Sequence, residues 1–198
     1  NYTVTATSDG KSDSETFAYL SSTDRSEFTG SVNSTSESEL AEFIESNKDV
    51  FGMTDCTDEQ IKDFASVIID NGPFNNYAEA LNFAQSVPVI LDEFNSASWA
   101  ELTVLIEENN ELLGGTSNPD VKYFLGLSDK KQNAISQILS DMLPAATFED
   151  LKDKLSDAID EYKDSLDSGS SGGSGGGGSS RGNSMGGSFP VVPDANPY

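Results

Sequence analysis

Residues 32–52 read VNSTSESELAEFIESNKDVFG, and residues 94–114 read FNSASWAELTVLIEENNELLG. The two stretches align without a gap at an offset of 94 − 32 = 62, and nine of their 21 positions are identical. The identities include Ser36/Ser98, Glu39/Glu101, Leu40/Leu102, Ile44/Ile106 and Gly52/Gly114. In each stretch a Ser precedes a Glu by three residues, the spacing of a capping box that satisfies the free amides of a helix start. Leu40, Phe43, Ile44, Val50 and Phe51 then keep to one helical stripe, and a Gly stands where the chain can leave the helix. Shared helix chemistry accounts for a few matches, but an ungapped register from cap to cap is an internal repeat.

Each copy continues into two further helical stripes. In the first, Ile61, Phe64, Ala65 and Ile68 follow Thr57-x-x-Gln60, and Tyr77, Ala80, Leu81 and Ala84 follow Asn76-x-x-Glu79. In the second, the stripes are Ile135, Ile138, Leu139 and Met142, then Phe148, Leu151, Leu155, Ile159 and Tyr162. Thr57-Asp58, Pro73 and Tyr77 correspond to Ser128-Asp129, Pro144 and Phe148 at an offset of 71, so the second copy carries 71 − 62 = 9 extra residues. They fall around Thr116 to Phe124 and contain Asn118-Pro119, a loop signal. The predicted fold class is mainly α: two related three-helix units, 32–93 and 94–167, forming a small helical bundle. Trp99, the only Trp, takes the place of Glu37 after the cap and is expected to make a contact between the units.

The flanks differ in kind. In residues 1–31, Tyr2, Val4 and Ala6 alternate on one face and Phe17 and Tyr19 on another, around Asp9-Gly10. Both residues tolerate the positive φ of a type I′ turn, so the spacing predicts a β-hairpin followed by a connector. A lone hairpin is marginally stable, which makes this one the expected C-terminal hairpin of a truncated, sandwich-like β domain. The opening on Asn1 rather than Met points the same way, to a segment of a longer protein. Residues 168–198 form a Gly/Ser- and Pro-containing linker, expected to be disordered because too little apolar surface exists to offset the entropy of ordering. Its Gly-Gly-Ser-Gly-Gly-Gly-Gly-Ser run also fits an engineered linker; the irregular continuation through Arg181, Asn183 and Met185 into Phe189-Pro190 favours a natural one.

Eleven Lys plus Arg against 34 Asp plus Glu give a formal charge of −23, which repels phosphate backbones and anionic lipid and disfavours nucleic acid as a partner. No apolar run approaches the ~18 residues of a membrane span, so membrane insertion is not expected. Cys56 is the only cysteine, which rules out an intrachain disulfide. With no basic residue nearer in sequence than Lys62, it reads as a small buried apolar residue rather than a reactive thiol.

No catalytic, cofactor-binding or metal-ligating residue is assigned, and no cofactor. Gly182-Asn183-Ser184-Met185-Gly186 and Gly172-Gly-Ser174-Gly-Gly176 satisfy the spelling of a nucleophile elbow, but that chemistry needs a strained strand-to-helix turn and a base, and the chain has no histidine. Carboxylate pairs remain, since glycoside hydrolysis needs only two. Glu107 and Glu108, Glu149 and Asp150, and Asp153 and Asp157 all fall on predicted solvated helix faces, and Glu107 is expected to tolerate Ala. Asp9, Asp13 and Glu15 alternate as weak calcium candidates, without the order or the glycine of an EF-hand loop.

The chain resembles a segment of Gram-positive, clostridial-type cell-surface proteins, in which helical repeats precede a Gly/Ser-rich linker and then S-layer homology domains. The matching residues are the repeat openings Val32-Asn33-Ser34 and Phe94-Asn95-Ser96, the helix exits Gly52 and Gly114, Leu127-Ser128-Asp129, and Thr147-Phe148-Glu149-Asp150-Leu151. The resemblance implies a secreted, extracellular, non-catalytic spacer or interaction module that projects upstream domains from the cell wall, with attachment supplied by further domains downstream. The alternative is an accessory region of a secreted carbohydrate-active or adhesive protein whose active domain lies upstream.

Overall fold

The computed structural model describes the backbone of residues 2–8, 11–17, 20–33 and 36–168, and the side chains within 20–33 and 36–166. Strands β1 (Tyr2–Ser8) and β2 (Lys11–Phe17) pair antiparallel, Tyr2 opposite Phe17 and Ser8 opposite Lys11. The Asp9-Gly10 turn lies outside the described residues, as does the expected linker beyond Ser168. The rest of the described chain is helical: α1 (Ser22–Val32), α2 (Glu37–Ser46), α3 (Lys48–Phe51), α4 (Asp58–Asp70), α5 (Tyr77–Ser96), α6 (Trp99–Glu108), α7 (Pro119–Leu125), α8 (Asp129–Met142) and α9 (Phe148–Ser168), with short 3-10 turns at Asn110–Leu113 and Gly115–Ser117.

The caps explain the boundaries. Thr57 and Gln60 form a reciprocal box, the Thr57 hydroxyl accepting from the Gln60 amide at 3.2 Å and the Gln60 side-chain oxygen from the Thr57 amide at 3.0 Å. Asn76 accepts from the Glu79 amide at 3.0 Å, and the Glu101 carboxylate accepts from the Ser98 amide at 2.8 Å. Asn47 stops α2 with its side chain on the Phe43 carbonyl, so the predicted first helix is a helix plus the single turn α3. Gly52 and Gly114 then leave with φ of 70° and 92°, a left-handed conformation that disfavours any residue with a Cβ.

The repeat is visible in these bounds. Shifted by 62, α2 falls on α6 and α3 falls on the turn Asn110–Leu113; shifted by 71, the starts of α4 and α5 fall on the starts of α8 and α9. The openings Asn33 and Asn95 perform the same task. Asn33 accepts from the Phe74 amide at 2.9 Å and donates to its carbonyl at 3.4 Å; Asn95 accepts from the Ala145 amide at 2.7 Å and donates to its carbonyl at 2.9 Å. Phe74 and Ala145 each follow a cis proline, Pro73 and Pro144. One side-chain amide therefore straps the turn between the last two helices of each copy to the end of the helix that precedes the copy.

Three elements depart from the sequence reading. The connector before residue 32 contains α1, whose Phe28 and Val32 are buried; Phe28 packs on Phe51 at 5.1 Å between ring centroids, with Phe43 and Tyr77 around it. The nine-residue excess is not a loop. Asn118 caps α7, accepting from the Asp120 amide at 2.9 Å, and Pro119 occupies the first turn, where its missing N–H is no loss. Finally, α5 runs for 20 residues through Pro88, over the expected boundary at 93/94. Buried Val87, Leu91 and Phe94 hold it helical beyond the proline, and its end stands to the second copy as α1 stands to the first.

A single contiguous core runs from Leu20 to Tyr162 through both copies. Phe64 of α4 meets Phe148 of α9 edge-on at 6.3 Å, and the Gln60 side-chain amide donates to the Ala146 carbonyl at 3.0 Å. Trp99 takes no part in this junction: it sits at the first turn of α6, 45% exposed, which corrects the expected contact between units. A large side chain in the first turn after the Ser98 cap points outward because the buried stripe of α6 is set by Leu102 and Ile106.

Candidate functional site

The most specific polar construction among the described residues is at the junction of the copies, and its centre is Asp63. The apolar stripe of α4 (Ile61, Phe64, Ala65, Ile68) turns Asp63 toward the start of α9. Its carboxylate accepts from the Phe148 amide at 2.7 Å and the Glu149 amide at 3.1 Å, two of the amides a helix start leaves unpaired. Thr147 supplies the local cap, accepting from the Asp150 amide at 3.0 Å. Helix α9 thus has two caps, one from its own sequence and one from the other copy. Burial pushes the Asp63 carboxyl above the usual range, against the opposing pull of the Phe148 and Glu149 amides and of Lys152. Asp63 is a structural carboxylate by this geometry. In the sequence it stands beside Lys62, off the Ile61, Phe64, Ala65 and Ile68 stripe, and nothing local marks it.

The carboxylate pairs named from sequence are dispersed into comparable local roles. Asp150 accepts from Lys154 at 2.6 Å and from the Ala146 amide at 2.8 Å, and the Lys154 bond, ahead of the amide, holds its carboxyl below the usual range. Glu149 pairs with Lys152 at 3.3 Å. Glu108, Asp153 and Asp157 are exposed. Glu107 is exposed but accepts from the side-chain amide of buried Gln132 at 2.9 Å, so the expectation that it is expendable needs correction. Truncating it would leave a buried amide without an acceptor.

Cys56 is partly buried, and its thiol is pushed up by burial, then by Asp92, with Asp55 adding and Lys48 opposing. The nearest base is Lys48 rather than Lys62: the single turn α3 brings its ammonium to the Cys56 carbonyl at 3.3 Å. A raised thiol pKa keeps the sulfur protonated and poorly nucleophilic. Among the described residues no three of His, Cys, Asp and Glu converge on a metal-sized site, and no helix is long and apolar enough to cross a membrane. Ser174, Ser184 and Asp9, with the side chains of Asp13 and Glu15, lie outside the described residues.

What remains is surface. One opening of about 470 Å³ lies between α2 and α4, with Ala41 and Ile61 on its floor and Glu37, Glu42 and Glu45 at its rim. The repeat places Trp99, Val104 and Glu107 where Glu37, Glu42 and Glu45 stand, so the two copies present different chemistry on the same helix face. Another, of about 480 Å³, lies between α8 and α9, lined by Ala134, Ile138, Met142 and Tyr162. Comparison of the chain with family models, with curated proteins and with solved structures gives no match.

Proposed function

We propose that this chain is a non-catalytic structural spacer of a secreted bacterial cell-surface protein, holding apart the β-hairpin region at its start and the Gly/Ser linker after α9. The observation that carries the reading is the continuity of the helical module. Helix α5 belongs to both copies, one core passes through them, and Asp63, Gln60 and Phe64 bind α4 of one to the start of α9 in the other. A chain that enters at α1 and leaves at α9 is therefore held at a fixed separation. The absence of histidine from the sequence and the employment of the candidate carboxylates in caps and surface pairs favour a passive module over an enzyme. Its charge of −23 suits a crowded extracellular layer, where like-charged surfaces stay apart. The hairpin in this reading is the last of an upstream β domain, and wall attachment comes from S-layer homology domains downstream.

Single-molecule energy transfer between dyes at Thr23→Cys and Asp164→Cys, in a Cys56→Ser background, tests the rigid-spacer reading. One narrow distance, unchanged by millimolar calcium, is expected. Two interconverting distances would reject it, as would turnover of a polysaccharide or ester by the purified chain that a single Asp or Glu substitution abolishes.

A further inference from the structure

The repeat supplies an internal control for one surface of the second copy. An opening of about 520 Å³ lies between the end of α5 and α6, lined by Glu93, Ser96, Ala97, Ala100, Val104 and Leu105. Its counterpart at −62, between α1 and α2, is lined by Ser31, Glu39, Glu42 and Phe43, with Asp24 and Glu27 beside them. The position of the groove repeats and its chemistry does not. Ala100 and Val104 stand where the first copy has Ser38 and Glu42, and Trp99 stands where it has Glu37. The first copy forms the same helix pair with Glu42, so the fold does not require an apolar residue there, yet Val104 is 49% exposed. Of the four large apolar side chains exposed among the described residues, Val89, Trp99 and Val104 all belong to α5 and α6.

The charge around this groove decides what it fits. Helices α5 and α6 carry Glu79, Asp92, Glu93, Glu101, Glu107 and Glu108, and the chain has no Lys or Arg between Lys62 and Lys122. The ion pairs of the described residues lie elsewhere, on α2, α3 and α9. One carboxylate stands on each wall of the groove. The Glu93 carboxylate has no partner among the described residues, and Glu101 uses only Oε2 for the Ser98 cap. An apolar floor between two such carboxylates repels a second copy of formal charge −23 and complements a helix whose apolar stripe is flanked by Lys or Arg. Ala97 and Ala100 are small enough to admit the ridge of another helix. The exposed length of α6 is about 15 Å at ~1.5 Å per residue, which matches two to three turns of an occupant.

We infer that the α5/α6 groove is the docking site for a cationic amphipathic helix of a partner protein. Its apolar stripe lies on Ala97, Ala100 and Val104, and its bases lie beside Glu93 and Glu101. The inference goes beyond the spacer reading, because the module then holds a partner at a fixed point along its length.

The probe that tests it is a synthetic amphipathic helix of about three turns, Leu on one face and Lys on its flanks, titrated into the full chain at physiological ionic strength. Trp99 fluorescence reports binding, and backbone amide shifts locate it. Saturable binding with shifts confined to α5 and α6 is expected. Val104→Glu restores the first copy's residue at an exposed position, so the thermal midpoint should hold while affinity for the peptide falls about ten-fold or more. A purely electrostatic complex would tighten with the added negative charge, so unchanged or tighter binding to Val104→Glu overturns the inference. Shifts centred on other helices, or no saturable binding to the wild type, overturn it as well. So does a wild-type dimer that Val104→Glu dissociates, since that assigns the face to a second copy.

Discussion

Replacing Asp63 by Ala removes a cap that the helix it serves does not encode. The Phe148 and Glu149 amides lose acceptors at 2.7 and 3.1 Å, while Thr147 still holds the Asp150 amide at 3.0 Å. Helix α9 is therefore weakened, not uncapped. Glu149 is exposed and its amide can turn to water; Phe148 is fully buried and its amide is the one left wanting. Hydrogen bonds to a charged group contribute about 1.5–3 kcal/mol each, and loss of a cap costs about 0.5–2. Burial of the carboxylate offsets part of that gain. A net loss of about 1.5 kcal/mol is expected, a fall in Tm of roughly 3–6 °C for a folded unit of this size. Urea unfolding followed by circular dichroism at 222 nm and by Trp99 fluorescence measures it, and both probes should shift together because one core spans both copies. A loss under about 0.3 kcal/mol would refute the cross-copy cap. So would separate transitions for the two probes in the wild type.

The pH dependence of the same pair follows from the sign of the shift. The folded pKa of Asp63 lies above its unfolded value of about 3.9, so its contribution to stability rises as pH falls through the folded value toward the unfolded one, and the advantage of wild type over Asp63→Ala should widen on acidification from neutral pH. Asp150, held low by Lys154, behaves oppositely: its contribution is present above about pH 4 and is lost below, so Asp150→Ala should converge on wild type in acid. Leu102→Ala, at a fully buried position equivalent to Leu40, should cost about 2–5 kcal/mol in chemical denaturation. Glu107→Ala should cost about 1 kcal/mol through the stranded Gln132 amide, and Glu107→Gln should recover most of that. Trp99→Ala should leave the thermal midpoint within about 2 °C, because the ring is 45% exposed and seals no junction.

Periodicity and cap chemistry exposed the helical class because both are local. Ser36, Thr57, Asn76 and Ser98 each stand immediately before a helix, and Gly52 and Gly114 take the left-handed exits their positions announced. Where the reading failed, the deciding contacts were distant. Helix α1 carries only Phe28 and Val32 on a polar background, and its stability comes from rings of α2, α3 and α5; the Ser21-x-x-Asp24 box was its one local sign. Asn118-Pro119 spells a loop or a helix start equally well, and burial of Val121 and Phe124 decides for the helix. Pro88 argues locally for a break, yet Val87, Leu91 and Phe94 bury enough apolar surface to carry α5 past it. Asp63 and the paired Asn33 and Asn95 straps escaped notice as a site because their partners lie 41 to 86 residues away.

Sharing one helix between two copies also decides which changes in length the fold can inherit. Each residue added within α5 would turn everything after it by about 100° and advance it by about 1.5 Å, tearing Phe148 from Phe64 and the Phe148 amide from Asp63. The step after the left-handed glycine carries no such coupling: the second copy holds nine more residues there than the first, and they fold into α7, which buries Val121 and Phe124 in the same core while α8 still packs on α6 as α4 does on α2. Insertions in descendants of this chain should therefore collect after Gly52 and Gly114, while α5 keeps its length residue for residue.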